Sequence, residues 1–151
     1  MKNKIFRALV ALAAMAVLVA SGLITFLVSQ DYFNETKKEL AQEARYISMG
    51  LESGGNDFLN KIAAENGSNV RITLIDKDGI VLFDNQAEAK TLENHAMRQE
   101  IMEAVAVGAG EAERFSDTLD KTTYYYAVRL EDGKILRLAR TIDSIYKSVL
   151  Q

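Results

Sequence analysis

Two closely spaced carboxylates in the segment LIDKDGIVLFDN, residues 74–85, could bind a cation or act as an acid–base pair. A calcium loop of the EF-hand type needs alternating oxygen ligands, then a glycine, then a glutamate at its twelfth position. Counted from Asp76, the glycine comes too early and the twelfth residue is Ala87. The flanking runs are rich in β-branched residues, which favour strands. The segment therefore predicts a β-hairpin whose turn needs Gly79, with Asp76 and Asp78 as solvated tip residues.

His95 is the single histidine of the chain. Its surroundings, LENHAMR, lack the acidic-then-Arg-Thr-Pro context of a phosphoacceptor histidine. We interpret it as a surface residue or a residue at a helix N-terminus, and a role as a pH sensor stays open because imidazole titrates near physiological pH.

Other motifs of enzyme chemistry are weak or missing. The run Gly108-Ala109-Gly110 resembles part of a dinucleotide loop, but it follows a predicted helix and so marks the end of that helix. The sequence contains no cysteine, no nucleophile elbow and no paired metal ligands. It therefore predicts no catalytic residue, no metal site and no cofactor.

The run Tyr124-Tyr125-Tyr126 is the best candidate for a binding site. Side chains alternate along a strand, so Tyr124 and Tyr126 share one face while Arg129 shares the face of Tyr125. Tyr and Arg side chains on a sheet could bind a small anion, although tyrosines are also good strand formers and arginines are often solvated. The candidate ligand-binding residues are Tyr124, Tyr126, Arg129, Arg137 and Arg98.

The N-terminal sequence predicts a membrane anchor. Residues 8–28 carry no charge, and at about 1.5 Å per residue their helix would be roughly 31 Å long, which matches the hydrocarbon core of a bilayer. Three basic residues precede this run: Lys2, Lys4 and Arg7. The positive-inside rule then places the N-terminus in the cytoplasm and the rest of the chain outside. A signal peptide cleaved at Ala20-Ser21-Gly22 is the alternative, but the apolar run continues beyond that point.

Charge and composition narrow the class of partner. The chain has 18 Lys and Arg against 21 Asp and Glu, and three of its basic residues precede the apolar run. The exported part therefore has 15 basic against 21 acidic residues, a formal charge of −6. That balance disfavours binding to nucleic acid or to anionic lipid by bulk charge.

Hydrophobic periodicity predicts a helix over residues 31–51 with one apolar stripe, which either packs on a sheet or pairs with a second copy of the chain. We assign the stripe to a signalling helix and homodimer seam: Phe33, Leu40, Ala44, Ile47 and Leu51. Further helices are predicted over 57–65, over 94–107 and from Ile142 onward. Strands are predicted over 70–75, 80–83, 113–118, 122–130 and 134–141.

Strands joined by tight turns form an antiparallel sheet, and helices must cover it. The order of elements therefore predicts an α+β domain of the PAS or Cache kind. It would contain a five-stranded antiparallel sheet flanked by helices, with a long N-terminal helix continuous with the transmembrane helix.

A resemblance to a known family lies in three segments of the sequence: VRITLIDKDGIVLFDN, NHAMRQEIMEAVAVGAGEAERFSDTL and TTYYYAVRLEDGKILRLARTIDSI. Together they resemble the extracytoplasmic single-Cache-like sensor domain of phosphate-regulation-type bacterial sensor histidine kinases. The resemblance covers residues 70–145, and Gln99 departs from it by standing where the family pattern has proline. It implies an input domain that senses an extracellular signal, forms a homodimer and controls a cytoplasmic kinase with a response regulator as partner.

We accordingly expect five segments. They are a cytoplasmic N-terminus (1–7), a transmembrane helix (8–28), a juxtamembrane signalling helix (29–55), a sensor domain (56–141) and the start of an exit helix toward a second span (142–151). The kinase core is expected beyond Gln151, so this part of the protein would carry no catalytic activity. The alternatives are a membrane-tethered binding or scaffold protein without an output domain, and the input domain of a chemoreceptor or cyclase.

Overall fold

The computed structural model describes residues 2–65, 70–116 and 121–141. Two α-helices, a short 3-10 helix (Ala89–Thr91) and five strands make up these parts. In chain order they are α1 (Lys2–Glu65), β1 (Arg71–Ile75), β2 (Val81–Asp84), α2 (Gln99–Val107), β3 (Ala109–Ser116), β4 (Lys121–Arg129) and β5 (Ile135–Thr141). The helix predicted from Ile142 onward lies outside the described residues.

The helix α1 passes from one compact unit, which ends at Glu35, into a second unit that begins at Thr36. Among the described residues, one helix is long and apolar enough to cross a membrane, and it lies within Asn3–Gly55. This agrees in length and composition with the predicted anchor.

The predicted helices over 31–51 and 57–65 are joined in α1 by a kink. The backbone leaves helical geometry at Gly55, where φ is 58° and ψ is −151°. Glycine tolerates this conformation because it has no Cβ. After the kink, the ring of Phe58 occupies the space where a side chain on Gly50 would lie, so the two arms of the helix pack closely.

The five strands form one antiparallel sheet in the order β2-β1-β5-β4-β3. The predicted five-stranded antiparallel α+β fold is therefore confirmed. Glycines with positive φ close both predicted hairpin turns, Gly79 at 86° and Gly133 at 83°. The edge strand β3 begins at Ala109, four residues before the predicted start, because Gly108 ends α2 in a left-handed conformation and leads directly into the sheet.

One face of the sheet packs against α1. Arg140 of β5 contacts Glu39 at 3.2 Å and Glu43 at 3.5 Å, and Lys37 lies 4.8 Å from the ring centre of Tyr124. Buried aliphatic side chains fill this layer: Ile72, Leu74, Leu136 and Leu138 from the sheet, and Leu40, Ala44 and Ile47 from α1. Leu40, Ala44 and Ile47, the middle of the apolar stripe, are therefore covered within a single chain, and a homodimer stays a prediction.

The other face of the sheet packs against α2. One half of this layer is an apolar core of six residues: Ile75, Val81, Ile101, Ala104, Ala127 and Ile135. The other half contains charged side chains from four strands and from α2, which position the candidate site described below.

Candidate functional site

The charged half of the α2 layer is built from alternate residues of the strands. We call it the ionic cluster, defined as Arg71, Thr73, Asp84, Glu100, Arg114, Tyr125 and Arg137. Residues two apart on a strand point to the same face, and cross-strand partners share it. Register places Thr73 opposite both Asp84 and Arg137, so three strands contribute neighbouring polar groups.

Asp84 joins the two strands at one end of the ionic cluster. Arg71 Nε donates to Asp84 Oδ1 at 3.1 Å and to Oδ2 at 2.8 Å, and Thr73 Oγ1 donates to Oδ2 at 2.8 Å. The backbone N–H groups of Gln86 and Ala87 donate to Oδ1 at 3.0 and 2.9 Å. The buried carboxylate is thus paired and well bonded, as a charge removed from water must be.

Glu100 of α2 is fully buried and joins the helix to the sheet. Arg114 of β3 donates to its two oxygens at 2.6 and 2.7 Å, a bidentate pair of the strong, charge-assisted kind. Arg137 of β5 makes a longer contact, 3.3 Å from Nη1 to Oε1. Its Nη2 donates to Thr73 Oγ1 at 3.3 Å, so Arg137 connects the two ends of the ionic cluster.

Tyr125 places an aromatic ring between two of the arginines. The guanidinium carbon of Arg114 lies 4.0 Å from the ring centre, and that of Arg137 lies 5.1 Å from it. Both distances are in the range of favourable cation–π contacts. The ring therefore helps to hold two like charges near each other in a buried layer.

His95 lies on the segment that leads into α2 and is held against the turn between β1 and β2. Its backbone N–H donates to the carbonyl of Gly79 at 2.8 Å, and the side chain of Asn94 donates to the carbonyl of Asp78 at 2.8 Å. This docking on the hairpin turn explains why α2 begins at Gln99 and not at Asn94 as predicted. The side chain of His95 is buried, so its interpretation as a surface residue is wrong.

Burial and charge set the protonation of these groups. Burial, and then the charges of Arg137, Arg98 and Arg71, lower the pKa of His95 from 6.5 to about 4. Burial also disfavours the charged form of Glu100, but its bonds and charge pairing with Arg114 outweigh this and hold the carboxyl pKa below its usual value. At neutral pH the site therefore contains a neutral imidazole and an ionised Glu100.

Several buried donor groups have no protein partner. Among the described residues, the buried side-chain nitrogens without a hydrogen bond are Arg71 Nη2, Arg137 Nε, His95 Nδ1 and, in the α1 layer, Arg140 Nε. Arg71 and Arg137 belong to the ionic cluster, and both of their charges lower the pKa of His95. Three guanidinium groups against two carboxylates leave the ionic cluster one net positive charge. This charge balance favours an anion over a cation as a further partner.

A family comparison agrees with this fold. A model of the single Cache-like family matches residues 30–135, about 70% of the chain. The chain belongs to the single Cache-like family. This membership supports a sensing input domain, and the described part contains the sheet and the helices that the family leads us to expect. No curated protein matches the chain.

Two solved structures are similar to this Cache domain protein. The Bacillus subtilis YkuI protein, which has an EAL domain and was crystallised with its substrate c-di-GMP and calcium, aligns with a TM-score of 0.58 at 13% identity, over 79% of this chain and 35% of its own. The extracellular domain of a candidate histidine kinase, rpHK1S-Z16, aligns with a TM-score of 0.41 at 23% identity, over 51% of this chain and 32% of its own. The chain thus spans about a third of either structure, and the likeness to YkuI concerns the fold alone.

The residues that the sequence singled out for a ligand lie in different places in the Cache domain. Arg137 belongs to the ionic cluster, and Arg98 lies near His95 and contacts Glu93 at 3.5 Å. Arg129 is exposed and donates to the carbonyl of Val105 at 2.6 Å. Tyr124 and Tyr126 lie on the opposite face, toward α1. The five residues therefore do not line one pocket, because strand alternation separates the tyrosines from the arginines.

The sequence interpretation missed most of the ionic cluster. Arg71 and Thr73 alternate with Ile72 and Leu74 in the buried strand β1. That alternation was the available signal, since polar residues at period two in an apolar strand indicate a buried polar face. Glu100 gave no comparable signal, because its partners Arg114 and Arg137 are brought to it only by the fold. Among the described residues, no group of acidic or histidine side chains could hold a metal ion.

A separate cavity of about 330 Å³ lies between α1 and the turn that joins β4 to β5. Leu51 and Gly55 of α1, Leu74 of β1 and Leu130 line it, together with Asp132 and Lys134. Lys134 is already paired with Asp132 at 2.6 Å. The buried nitrogens without a hydrogen bond belong to residues that do not line this cavity.

Proposed function

We propose that this chain is the extracytoplasmic input region of a membrane-bound sensor histidine kinase, and that it senses a small anion held by the ionic cluster and His95. The observation that carries the ligand part is the set of buried nitrogens without a hydrogen bond on Arg71, Arg137 and His95, since the two arginines belong to an ionic cluster with one net positive charge. Membership of the single Cache-like family supports the sensing role.

The energetics favour an anion at this place. A buried donor without a partner costs about 1–3 kcal/mol, more when the group is charged. The side chains of Arg71 and Arg137 are each 3% exposed, so water relieves little of that cost. An anion shared by these donors would satisfy them and strengthen the link between β1, β5 and α2.

The apolar part of α1 supports the membrane-bound arrangement. Three basic residues precede the apolar run, which favours a cytoplasmic N-terminus and an external Cache domain. A helix that leads from the span into the sensor domain gives a direct route for a small shift to cross the bilayer. We propose that the kinase core, with its response regulator, follows Gln151.

Anion binding tests the sensing proposal. The full chain in nanodiscs would be titrated with sulfate and with methanesulfonate by calorimetry at low ionic strength. We expect saturable binding that weakens by at least about tenfold in Arg137→Met, because a charge-assisted bond is worth about 1.5–3 kcal/mol. Arg129→Met is the matched control, since Arg129 is exposed and bonds a carbonyl outside the ionic cluster. Absence of saturable binding by the unsubstituted chain would refute the ligand proposal.

Topology and output need two further observations. A reporter fused after Gln151 is expected to be active when it requires an extracytoplasmic location and silent when it requires the cytoplasm. The coding sequence after Gln151 should then encode a second apolar span and a kinase core. A stop codon there would favour the tethered binding protein, and another output domain would favour the chemoreceptor or cyclase.

We also propose a homodimer. Because the middle of the α1 stripe is buried, we expect the dimer interface on another side of that helix. Leu40, Ala44 and Ile47 are covered by the chain's own sheet, whereas Tyr46 and Met49 are 71% and 59% exposed. Cysteine scanning from Tyr32 to Leu51 in membranes is expected to give crosslinking maxima in phase with the exposed pair. Maxima at Leu40 and Ile47 would instead restore the original assignment of the stripe to the seam.

A further inference from the structure

The cavity between α1 and the turn that joins β4 to β5 has an apolar wall. Its volume of about 330 Å³ is in the range of small-molecule sites, and Leu51 of α1, Leu74 of β1 and Leu130, just after β4, line it. Leu74 and Leu130 are buried and belong to the core of the domain. A ligand that enters the cavity can therefore remove aliphatic surface from water.

Charged side chains from α1 and from the turn also line the cavity. Lys134 is paired with Asp132 at 2.6 Å, so the charges of these two residues offset each other. Glu52 of α1 and Glu131 of the turn also line the cavity, and neither forms an ion pair within the described parts of the chain. The cavity therefore has two uncompensated negative charges, one from α1 and one from the turn on its other side.

The shape and charge of the cavity fit an organic cation better than a metal ion. In the described residues, no group of acidic or histidine side chains could hold a metal ion, so the carboxylates around the cavity do not converge on one point. A short chain with an ammonium group at each end can contact the leucines and still reach both carboxylates. We infer that this cavity binds a small aliphatic diamine. It shares no residue with the ionic cluster, so the site is additional to the proposed anion-sensing function.

A diamine at this place would act on α1. Leu51, Glu52 and Gly55 all belong to that helix, and Gly55 is the residue at which its backbone leaves helical geometry. A ligand that bridges Glu52 and Glu131 would hold the helix beside its kink against the turn between β4 and β5. The diamine would thus contact the same helix that contains the apolar run.

Calorimetry with diaminobutane tests the site, using the full chain in nanodiscs of zwitterionic lipid at low ionic strength and neutral pH. Both amines are protonated there, because alkylammonium groups have a pKa near about 10. We expect saturable binding, and binding of butylamine, which has one charge, at least about threefold weaker. Butanol, which has no charge, should not compete with diaminobutane. Magnesium, which has the same charge without an aliphatic chain, should not displace it at equal concentration.

Substitutions separate the apolar part of the site from its charges. Leu51→Phe fills the cavity without changing its charge and should weaken diaminobutane binding at least about tenfold, because the added ring must exclude the ligand or strain the core. Met49→Phe is the matched control, since Met49 is exposed on the same helix and does not line the cavity. Glu52→Gln combined with Glu131→Gln should weaken binding at least about threefold, as exposed ion pairs are individually weak.

The charge control combines Glu88→Gln with Glu113→Gln, which removes two exposed carboxylates outside the cavity and should leave binding unchanged. Leucine methyl labelling of the unsubstituted chain decides even where Leu51→Phe does not fold. Bound diaminobutane is expected to give nuclear Overhauser contacts with the methyl groups of Leu51, Leu74 and Leu130. Absence of saturable binding, equal displacement by magnesium, or binding without these contacts would overturn the inference.

Discussion

Both faces of the sheet bury side chains, but the side chains that they bury differ in kind. On β5, Leu136 and Leu138 face α1 and are fully buried, while Arg137 between them faces α2 and is 3% exposed. Apolar burial contributes roughly 25 cal/mol per Å², whereas a buried charge costs free energy unless it is paired. The α1 face is therefore stabilised by apolar burial, whereas the charged half of the α2 face depends on the pairing of its charges.

The helix on the α2 face also depends on charged contacts. α2 has only nine residues, and a helix of that length depends on tertiary contacts to form. Its contacts with the sheet include the ionic bonds of Glu100 as well as the apolar core. A ligand that altered those bonds would change the position of α2 more readily than that of the aliphatic layer on the other face.

The largest expected effect is at Glu100. Glu100→Ala removes the shared partner of the buried Arg137 and the partly exposed Arg114, and loss of one partner from a buried charge pair typically costs about 3–5 kcal/mol. Guanidinium unfolding of the full chain in detergent would measure the loss. Glu113→Ala, on the exposed side of the edge strand, is the control and should change stability by no more than about 0.5 kcal/mol. Equal effects in the two variants would show that the pairing of Glu100 with its arginines does not stabilise the charged layer.

On the aliphatic face, Leu138→Ala is expected to cost about 3 kcal/mol, since truncating a buried leucine typically costs 2–5 kcal/mol. Leu82→Ala is the control, because that side chain is 47% exposed, and should cost about 1 kcal/mol or less. The same unfolding measurement applies. Anion binding should be unchanged in Leu138→Ala and weakened by at least about tenfold in Arg137→Met, which would separate the roles of the two faces.

The sequence predicted the aliphatic face far better than the charged one. Leu40, Ala44 and Ile47 recur at helical spacing, and hairpin turns marked by Gly79 and Gly133 fix which strands are neighbours along the chain. The pairing of β1 with β5, by contrast, joins residues such as Thr73 and Arg137 that are far apart in sequence. Periodicity is a local signal, so it reveals which face a residue occupies but not which distant charge it meets.

The pH dependence of stability should report on His95. Its folded-state pKa is lowered from 6.5 to about 4, so the folded protein binds fewer protons than the unfolded chain in that interval. The stabilisation that the neutral, buried His95 contributes is fully present above the pKa of histidine in the unfolded chain. It is lost as the pH falls toward the folded-state pKa, at about 1.4 kcal/mol per pH unit. We expect a loss of about 2–3 kcal/mol in the unsubstituted chain relative to His95→Gln. A constant difference between the two across this interval would contradict the assigned burial of the neutral ring.

The smallest predicted effect compares the two hairpin turns. Gly79 and Gly133 have nearly the same positive φ, and an alanine in that conformation costs roughly 1–2 kcal/mol at either position. A Cβ at Gly133 would meet open space, but one at Gly79 would lie 2.5 Å from the backbone nitrogen of Ala96, which belongs to the segment that holds His95. Gly79→Ala should therefore cost at least about 1 kcal/mol more than Gly133→Ala, since overpacking typically costs 1–3 kcal/mol. It should also raise the pKa of His95 toward its ordinary value, because a displaced segment exposes the ring to water. Equal costs, with an unshifted histidine titration, would mean that the hairpin turn does not hold His95 in place.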